Sequence, residues 1–294
     1  MFYILFFKGI FMLTIIQLLY SIVIGLVQGI SEWLPISSKT QVLITSEYLL
    51  RLTYQQAYTF GLFMEIGTVL AAVIYFRKEV ASLIKTLLSG LKDSNRGLFV
   101  YVLTATIATG IIGAPLYFIA DSITGVSVGM PMLIIGLVLI GDALLIRHSK
   151  TKQKLGNNTR KFVDLKFKDY IIVGLAQGIA ALPGVSRSGI TVSTMLLMNV
   201  EPDEAFRLSF LIGIFAAVAA FGLTLIASHN NIYAALAGIG VTGLAMAIIT
   251  STVVSLFLID YLIKVAGKSN IVYLTGALGL IAIGSGMIFL ITGA

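Results

Sequence analysis

Three charged side chains lie inside apolar stretches of this sequence, beside residues that interrupt helices. Glu32 precedes Pro35-Ile36-Ser37-Ser38-Lys39-Thr40, and Arg187 lies within Pro183-Gly184-Val185-Ser186-Arg187-Ser188-Gly189. Hydroxyls and cations beside a carboxylate are typical of a phosphate site, because the planar fork of arginine matches phosphate oxygens. These two segments are therefore the first candidates for chemistry.

The composition of the whole chain indicates a membrane protein. Of its 294 residues, 58% are hydrophobic and 11% are charged, and the mean hydropathy is +1.00. Soluble domains carry roughly 25% charged residues. The sequence has no cysteine, which excludes disulfides and thiolate chemistry. Because the net charge of +7 is concentrated in two loops, nucleic acid is not an expected partner.

Six apolar runs have the length of a membrane crossing, which takes about 20 residues. The basic loops at 77–96 and 147–168 are predicted to be cytoplasmic by the positive-inside rule. The apolar N-terminus has no small-residue cleavage site and is expected to be a retained membrane segment. The six runs are Ala57–Phe76, Gly97–Tyr117, Val128–Ile146, Leu208–Ala227, Ile232–Ile259 and Ile271–Ile291.

An internal repeat links the two interrupted segments. Gly25-Leu26-Val27-Gln28-Gly29-Ile30 matches Gly174-Leu175-Ala176-Gln177-Gly178-Ile179 at an offset of 149 residues. Three crossings follow each copy, and because three is odd, the second copy is inverted in the membrane. This predicts an all-α, polytopic membrane protein with about six transmembrane helices and two re-entrant helical hairpins. The single domain 1–294 divides into inverted repeats 1–146 and 169–294 around the basic loop 147–168.

The inverted arrangement brings the two breaks together near mid-membrane, where broken backbone must line a polar cavity. The second half of each broken helix then turns its N-terminus toward the cavity, which favours an anion. Glu32 needs Arg187, Lys39 or a divalent cation as a partner at this depth. It is interpreted as a general base, a nucleophile or a metal ligand, or else as a structural ion pair with Arg187. Close helix packing explains the glycines and serines but neither of these two charges.

Three other acidic residues fall within apolar runs. Glu65 either faces the same cavity or forms a hydrogen bond to another helix. Asp142 and Asp260 lie near predicted cytoplasmic helix ends, where they are expected to pair with Arg147 and Lys264 at the membrane surface.

At the two interrupted segments the sequence resembles the undecaprenyl-diphosphate phosphatase family, the bacitracin-resistance type of polyprenyl-diphosphatase. The motifs Gln28–Ser38 and Pro183–Thr191 carry the resemblance, and the order of segments extends it over nearly the whole chain. The family implies hydrolysis of a long-chain, undecaprenyl-type diphosphate to the monophosphate plus phosphate, which recycles the lipid carrier for cell-envelope glycan synthesis. It also implies a divalent cation, Mg²⁺ or Ca²⁺, and a site that opens to the outer face of the cytoplasmic membrane.

The resemblance and the cavity argument together assign roles to twelve residues. Glu32, Ser38 and Arg187 are the expected catalytic residues, and Glu32 is also the expected metal ligand. Glu32 is expected to orient the metal, a water or the Ser38 hydroxyl for attack on the terminal phosphorus. The residues expected to bind substrate are Gln28, Ser37, Lys39, Thr40, Gln41, Gly184, Ser186, Ser188 and Thr191.

Two departures from the family pattern affect proton transfer. Gln41 stands where many members have histidine, and Gln41 cannot titrate. Gln28 leaves only one carboxylate in the first motif. Lys39 can bind phosphate, but as a cation it is no base. The sequence therefore leaves the proton-transfer group unassigned.

Two other functions fit the predicted architecture. A transporter or flippase of a lipid phosphate or other anion is the alternative, because inverted repeats with half-helices are typical of transporters. A catalytically silent lipid-phosphate binder is the third reading. The expected partners are a polyprenyl diphosphate lipid and the membrane, and a homodimer is an assembly that the sequence leaves open.

Overall fold

The computed structural model of the chain is built from α-helices. It describes residues 2–93, 95–122, 129–153, 159–182, 184–227, 229–266 and 271–292, and within these ranges it has eleven α-helices and no β-strand. The predicted all-α class is therefore confirmed. The helices are α1 (Phe2–Ser31), α2 (Ser38–Leu50), α3 (Tyr54–Tyr75), α4 (Arg77–Leu88), α5 (Arg96–Ser122), α6 (Gly129–Gln153), α7 (Phe167–Ile179), α8 (Arg187–Leu197), α9 (Pro202–Ala227), α10 (His229–Ala266) and α11 (Ile271–Thr292), with a 3-10 turn at Phe162–Asp164.

Among the described residues, five helices are long and apolar enough to cross a membrane, namely α3, α5, α9, α10 and α11. The remaining predicted crossing corresponds to α6, which has 25 residues and includes the apolar stretch Met132–Leu144. The chain is thus a multi-pass membrane protein.

Three of the four helices beside the breaks are short. α2 and α7 have 13 residues each and α8 has 11. At 1.5 Å per residue they extend about 15–20 Å, whereas the hydrocarbon core is about 30 Å thick. α1 is longer, with 30 residues, of which Ile15–Ser31 form an apolar stretch. The second break therefore lies between two half-spanning helices, α7 and α8, and the first break joins the long α1 to the half-spanning α2.

The structure adds helical detail to the predicted loops and spans. The first basic loop contains α4, a helix with exposed charged residues on one face and buried Leu83 on the other. α6 continues to Gln153, into the second basic loop. α10 is kinked at Gly240, where φ is 68°, within the predicted span Ile232–Ile259.

Helix packing follows a matched pattern in the two halves of the chain. α1 packs against α10 and α7 packs against α5, while α6 and α11 pack against each other. Gly25 lies so close to α10 that a Cβ there would come within 2.5 Å of Ala247 O, and one at Gly174 within 2.3 Å of Ala105 O. Equivalent glycines thus permit equivalent close approaches. These contacts support the division into repeats 1–146 and 169–294, which stays a prediction.

The largest buried hydrophobic cluster lies on one side of the two breaks, toward the basic loops. It includes Phe76 at the end of α3, Tyr101 near the start of α5, Phe206 near the start of α9 and Leu262 near the end of α10. Arg207 at this end pairs with Glu79 at 3.6 Å. A packed core therefore closes the breaks on the side of the basic loops.

Candidate active site

The first break ends α1 and turns the chain into α2 inside the protein. Pro35 lacks the N–H that would continue a helix. Ser37 adopts a φ of 56°, a conformation that costs a non-glycine residue about 1–3 kcal/mol and is often found at functional sites. Trp33 is buried against Phe210 of α9, with ring centroids 4.8 Å apart. This contact fixes the break next to α9.

The second break also contains a residue with positive φ shortly before the next helix begins. Gly184 has a φ of 84°, and Ser186 caps α8 by accepting a hydrogen bond from the Gly189 N–H at 3.2 Å. Pro183 lies outside the described residues. α8 begins at Arg187, so the guanidinium leaves from the first turn of the helix. A helix N-terminus offers unpaired N–H groups and a partial positive charge.

The two breaks contact each other directly. Side-chain hydroxyls and the Lys39 ammonium form hydrogen bonds with backbone groups of the opposite break. These bonds satisfy backbone N–H and C=O groups that the interrupted helices leave unpaired and that lipid could not satisfy. The bonds are Gly184 N to Thr40 Oγ1 at 2.8 Å, Ser186 Oγ to Leu34 O at 3.2 Å, Ser188 Oγ to Glu32 O at 3.3 Å and Lys39 Nζ to Ala180 O at 2.7 Å.

Two cations and two carboxylates lie together where the breaks meet. Arg187 forms an ion pair with Glu32, and its Nη1 lies 3.5 Å from Glu65 Oε2. Lys39 Nζ lies 3.8 Å from Glu65 Oε1. The exposed fractions of the four side chains lie between 3% and 15%. Buried charges need partners, and this balanced set supplies them.

Glu32 is held by donors on both of its oxygens. The Ser38 hydroxyl donates to Oε2 at 2.5 Å and Gln28 Nε2 donates to the same oxygen at 3.0 Å, while Arg187 binds Oε1. The Gln28 amide oxygen is buried and has no hydrogen-bond partner in the part of the chain that the structure describes. The Glu32 carboxylate is thus fixed beside a hydroxyl that it can deprotonate.

A polar recess lies at the breaks and a larger cavity adjoins it. The recess measures about 10 Å³, close to the space of one water molecule, so a phosphate must displace the side chains that fill it. The cavity measures about 280 Å³ and is walled mainly by small and apolar residues of α3, α5 and α9. Lys39, Glu65 and Arg187 line both spaces. The recess is lined by Glu32, Ser37, Ser38, Lys39, Glu65, Val185, Ser186 and Arg187.

Several residues expected to bind substrate have other contacts. Gln41 Nε2 donates to Ile36 O at 3.1 Å, and Gln41 lines neither space. Thr191 lies buried within α8, where its hydroxyl donates to Arg187 O of the preceding turn at 2.8 Å. Thr40 and Gly184 bind each other, and Ser188 bonds to Ser186 at 3.2 Å. These residues position the breaks, and their predicted contacts with substrate stay predictions.

Glu65 and Gln177 are the site residues that the sequence reasoning left without a role. The prediction that Glu65 faces the cavity is confirmed, because Glu65 lines both the recess and the larger cavity. Gln177 lines the cavity and donates to Thr109 Oγ1 at 2.9 Å. The signal for Gln177 was its alignment with Gln28 in the repeat. For Glu65 the signal was a carboxylate within an apolar run.

The two acidic residues expected to form surface pairs differ in outcome. Asp260 accepts a hydrogen bond from Lys264 at 2.5 Å, which confirms that pair. Asp142 is 1% exposed, and among the described residues neither of its carboxylate oxygens has a hydrogen-bond partner. Its expected pair with Arg147 at the membrane surface was wrong, because the carboxylate is buried.

Comparison with known proteins identifies the family. The profile of the family described as "Bacitracin resistance protein BacA" matches residues 21–282. A protein of Sulfurisphaera tokodaii named undecaprenyl-diphosphatase is 47% identical over 91% of this chain and 96% of its own length. Proteins of the same name from Saccharolobus solfataricus and Pyrobaculum aerophilum are 44% and 38% identical, each over 92% of this chain and 96% and 97% of their own lengths. This chain therefore belongs to the BacA family of bacitracin resistance proteins.

Proposed function

We propose that this protein hydrolyses a long-chain polyprenyl diphosphate of the undecaprenyl type to the monophosphate and phosphate, recycling the lipid carrier for cell-envelope glycans. The observation that carries the proposal is that the polar recess at the breaks adjoins the largely apolar cavity. Buried Lys39 and Arg187 stand at the end of a largely apolar cavity inside a membrane protein. A ligand that fits both parts has an anionic diphosphate head and an apolar tail. The names of the relatives agree with this ligand.

The cavity also supports a site that opens to the outer face of the cytoplasmic membrane. Its walls come from the first half of α3 and the second halves of α5 and α9, around Tyr58, Tyr117 and Leu223. These are the ends opposite the basic loops, which the positive-inside rule assigns to the cytoplasm. The packed core closes the other side. A lipid head on the outer leaflet would therefore reach Lys39 and Arg187 through this cavity.

In the proposed reaction, Arg187 and Lys39 hold the diphosphate together with the amides at the starts of α2 and α8. The Ser38 hydroxyl attacks the terminal phosphorus and its proton passes to Glu32 Oε2, 2.5 Å away. The new bond joins Ser38 Oγ to phosphorus, and the bond from phosphorus to the bridging oxygen breaks. Water then hydrolyses the phosphoserine. Catalysis of this kind rests on positioning and on neutralising charge in a site shielded from water.

A divalent cation fits the donors present only as an ion that takes most of its ligands from water and phosphate. Among the described residues no group of three or more histidine, cysteine or acidic side chains could hold a metal. Glu32 and the unpartnered Gln28 amide oxygen would hold Mg²⁺ or Ca²⁺, which accept carboxylate and amide oxygens. Such an ion would neutralise charge on the phosphates.

The test is phosphate release by the purified protein in detergent, from undecaprenyl diphosphate with Mg²⁺ or Ca²⁺. We expect release that a chelator abolishes and added cation restores. Ser38→Ala is expected to stop release and to leave no acid-stable phosphoserine. Ser46→Ala is the matched control, because Ser46 is a buried serine of α2 that lines neither space. Wild-type protein that binds the lipid without releasing phosphate, under any pH and cation tried, would contradict the proposal.

A further inference from the structure

The proposed hydrolysis lacks an acid for the leaving group. When the bridging bond breaks, its electron pair moves to the oxygen of the departing prenyl phosphate, which then needs a proton. Glu32 is held by three donors beside Ser38. Gln41, in place of the expected histidine, bonds to Ile36 O and faces neither space. The proton must therefore come from a group elsewhere in the site.

The position of the bridging oxygen follows from the two spaces. The terminal phosphate has to reach Ser38, which lines only the recess, whereas only the larger cavity has apolar walls for the first part of the prenyl chain. The bridging oxygen then lies at their border. The residues that line both spaces are Lys39, Glu65 and Arg187. Any acid that reaches the bridging oxygen is expected to be one of these three.

Of these three, Glu65 is the group suited to give up a proton. Arginine is not deprotonated in proteins. Lys39 Nζ donates to Ala180 O at 2.7 Å and supplies positive charge. Glu65 lies 3.5 Å from Arg187 and 3.8 Å from Lys39, and within the described structure no hydrogen bond to its carboxylate is found. An incoming diphosphate takes over both cations, and a buried carboxylate that loses its positive neighbours favours the protonated form.

We propose that Glu65 is the general acid of this site, an assignment that rests on the proposed hydrolysis. With the diphosphate bound, Glu65 carries a proton and faces the bridging oxygen. As Ser38 Oγ bonds to the terminal phosphorus, the bridging bond breaks and the proton of Glu65 moves to the prenyl phosphate oxygen. Water then attacks the phosphoserine and gives a proton to Glu65, while the bond between phosphorus and Ser38 Oγ breaks and Glu32 returns its proton to Ser38 Oγ. Glu32 and Glu65 thus act as base and acid on opposite sides of the phosphorus.

The first experiment does not depend on turnover. A prenyl diphosphonate with a methylene bridge, which cannot be cleaved, is added to the protein, and the bound-minus-free infrared spectrum is recorded. We expect a C=O band of a protonated carboxyl group that Glu65→Gln lacks. Asp142→Asn is the matched control, because Asp142 is another buried intramembrane carboxylate that lines neither space, and it is expected to keep the band. A wild-type spectrum without this band would overturn the proposal.

The second experiment is the pH profile of phosphate release. General acid catalysis contributes about 10²–10⁴-fold, so Glu65→Gln is expected to lower kcat about 100-fold with little change in KM. It should also remove the fall in activity at alkaline pH. Release by Glu65→Gln within about threefold of wild type, or an alkaline fall lost in Lys39→Met instead, would overturn the assignment of Glu65 alone. Absence of release by the wild-type protein would contradict the hydrolysis itself, so the two failures are distinguishable.

Discussion

Replacing Arg187 by methionine is expected to destabilise this protein and to abolish its activity, and a second substitution should separate the two effects. The Arg187 guanidinium pairs with Glu32 and lies 3.5 Å from Glu65, and both carboxylates are at most 4% exposed. Methionine fills much of the same space without charge. The variant therefore leaves two buried carboxylates facing one cation, Lys39.

The expected magnitude follows from these distances. At an effective dielectric constant of about 20, a charge pair 3.5 Å apart interacts by about 5 kcal/mol. Breaking a buried pair by removing one partner costs about 3–5 kcal/mol, because the other charge stays buried. Arg187→Met should lower stability by that amount. Arg187→Met with Glu32→Gln should recover most of it, because the unpaired charge is gone.

Thermal unfolding in detergent and phosphate release are measured for both single variants and the double variant. Release should fall at least about 100-fold in all three, since losing one charge-stabilising donor costs about 10²–10³-fold. Arg207→Met is the matched control. Arg207 also has two carboxylate partners, Glu79 at 3.6 Å and Glu204 at 3.1 Å, but the three side chains are 35%, 26% and 20% exposed, so the cost should stay below about 1 kcal/mol. A double variant as unstable as the sum of the single variants would refute the coupling.

Three further predictions test the site and its scaffold. Gln41→His should leave release within about threefold and add no pH limb near 6.5, because Gln41 lines neither space. Gly174→Ala should cost about 1–3 kcal/mol in thermal unfolding, since its Cβ would meet backbone at 2.3 Å, whereas Gly222→Ala has open space and should be neutral. Burial alone would raise the pKa of Asp169, but the amide of residue 166 and Arg160 hold it below its ordinary value. Stability from Asp169 is therefore present above the unfolded pKa of about 4 and lost as the pH falls through the lower folded value, and Asp169→Asn should flatten this loss in an acid melting series.

The architecture could be predicted because the membrane imposes it. Apolar runs had to be helices of spanning length, and segments cut by Pro35 or Gly184 had to be shielded from lipid. The repeat between residues 25–30 and 174–179 then brought distant breaks to one place. Charge also limited the partner of Glu32 to Arg187, Lys39 or a divalent cation, and the structure pairs it with Arg187.

Side-chain direction within the breaks could not be predicted. The backbone of Ser37, with a φ of 56°, determines which later residues face the recess. Ser38 and Lys39 face the recess, but Gln41 turns to the backbone of its own break. A sequence motif does not state the direction of each side chain, so it does not distinguish these neighbouring residues. The role of Glu65 stayed open in the sequence analysis because Glu65 lies on a continuous helix and not at a break.

The chemistry depends on differences between the two breaks at equivalent positions. Ser37 and Ser186 both precede the first residue of a half-helix, yet Ser186 caps its helix and Ser37 bonds to Thr40 Oγ1 at 3.0 Å instead. The residues that follow them are Ser38 in one break and Arg187 in the other. Duplication alone would have placed two hydroxyls or two guanidiniums at the junction, and neither pair joins a nucleophile to a phosphate-binding cation. The matched fold therefore sets the meeting point, and in the proposed reaction the divergence between Ser38 and Arg187 supplies the nucleophile and the phosphate-binding cation.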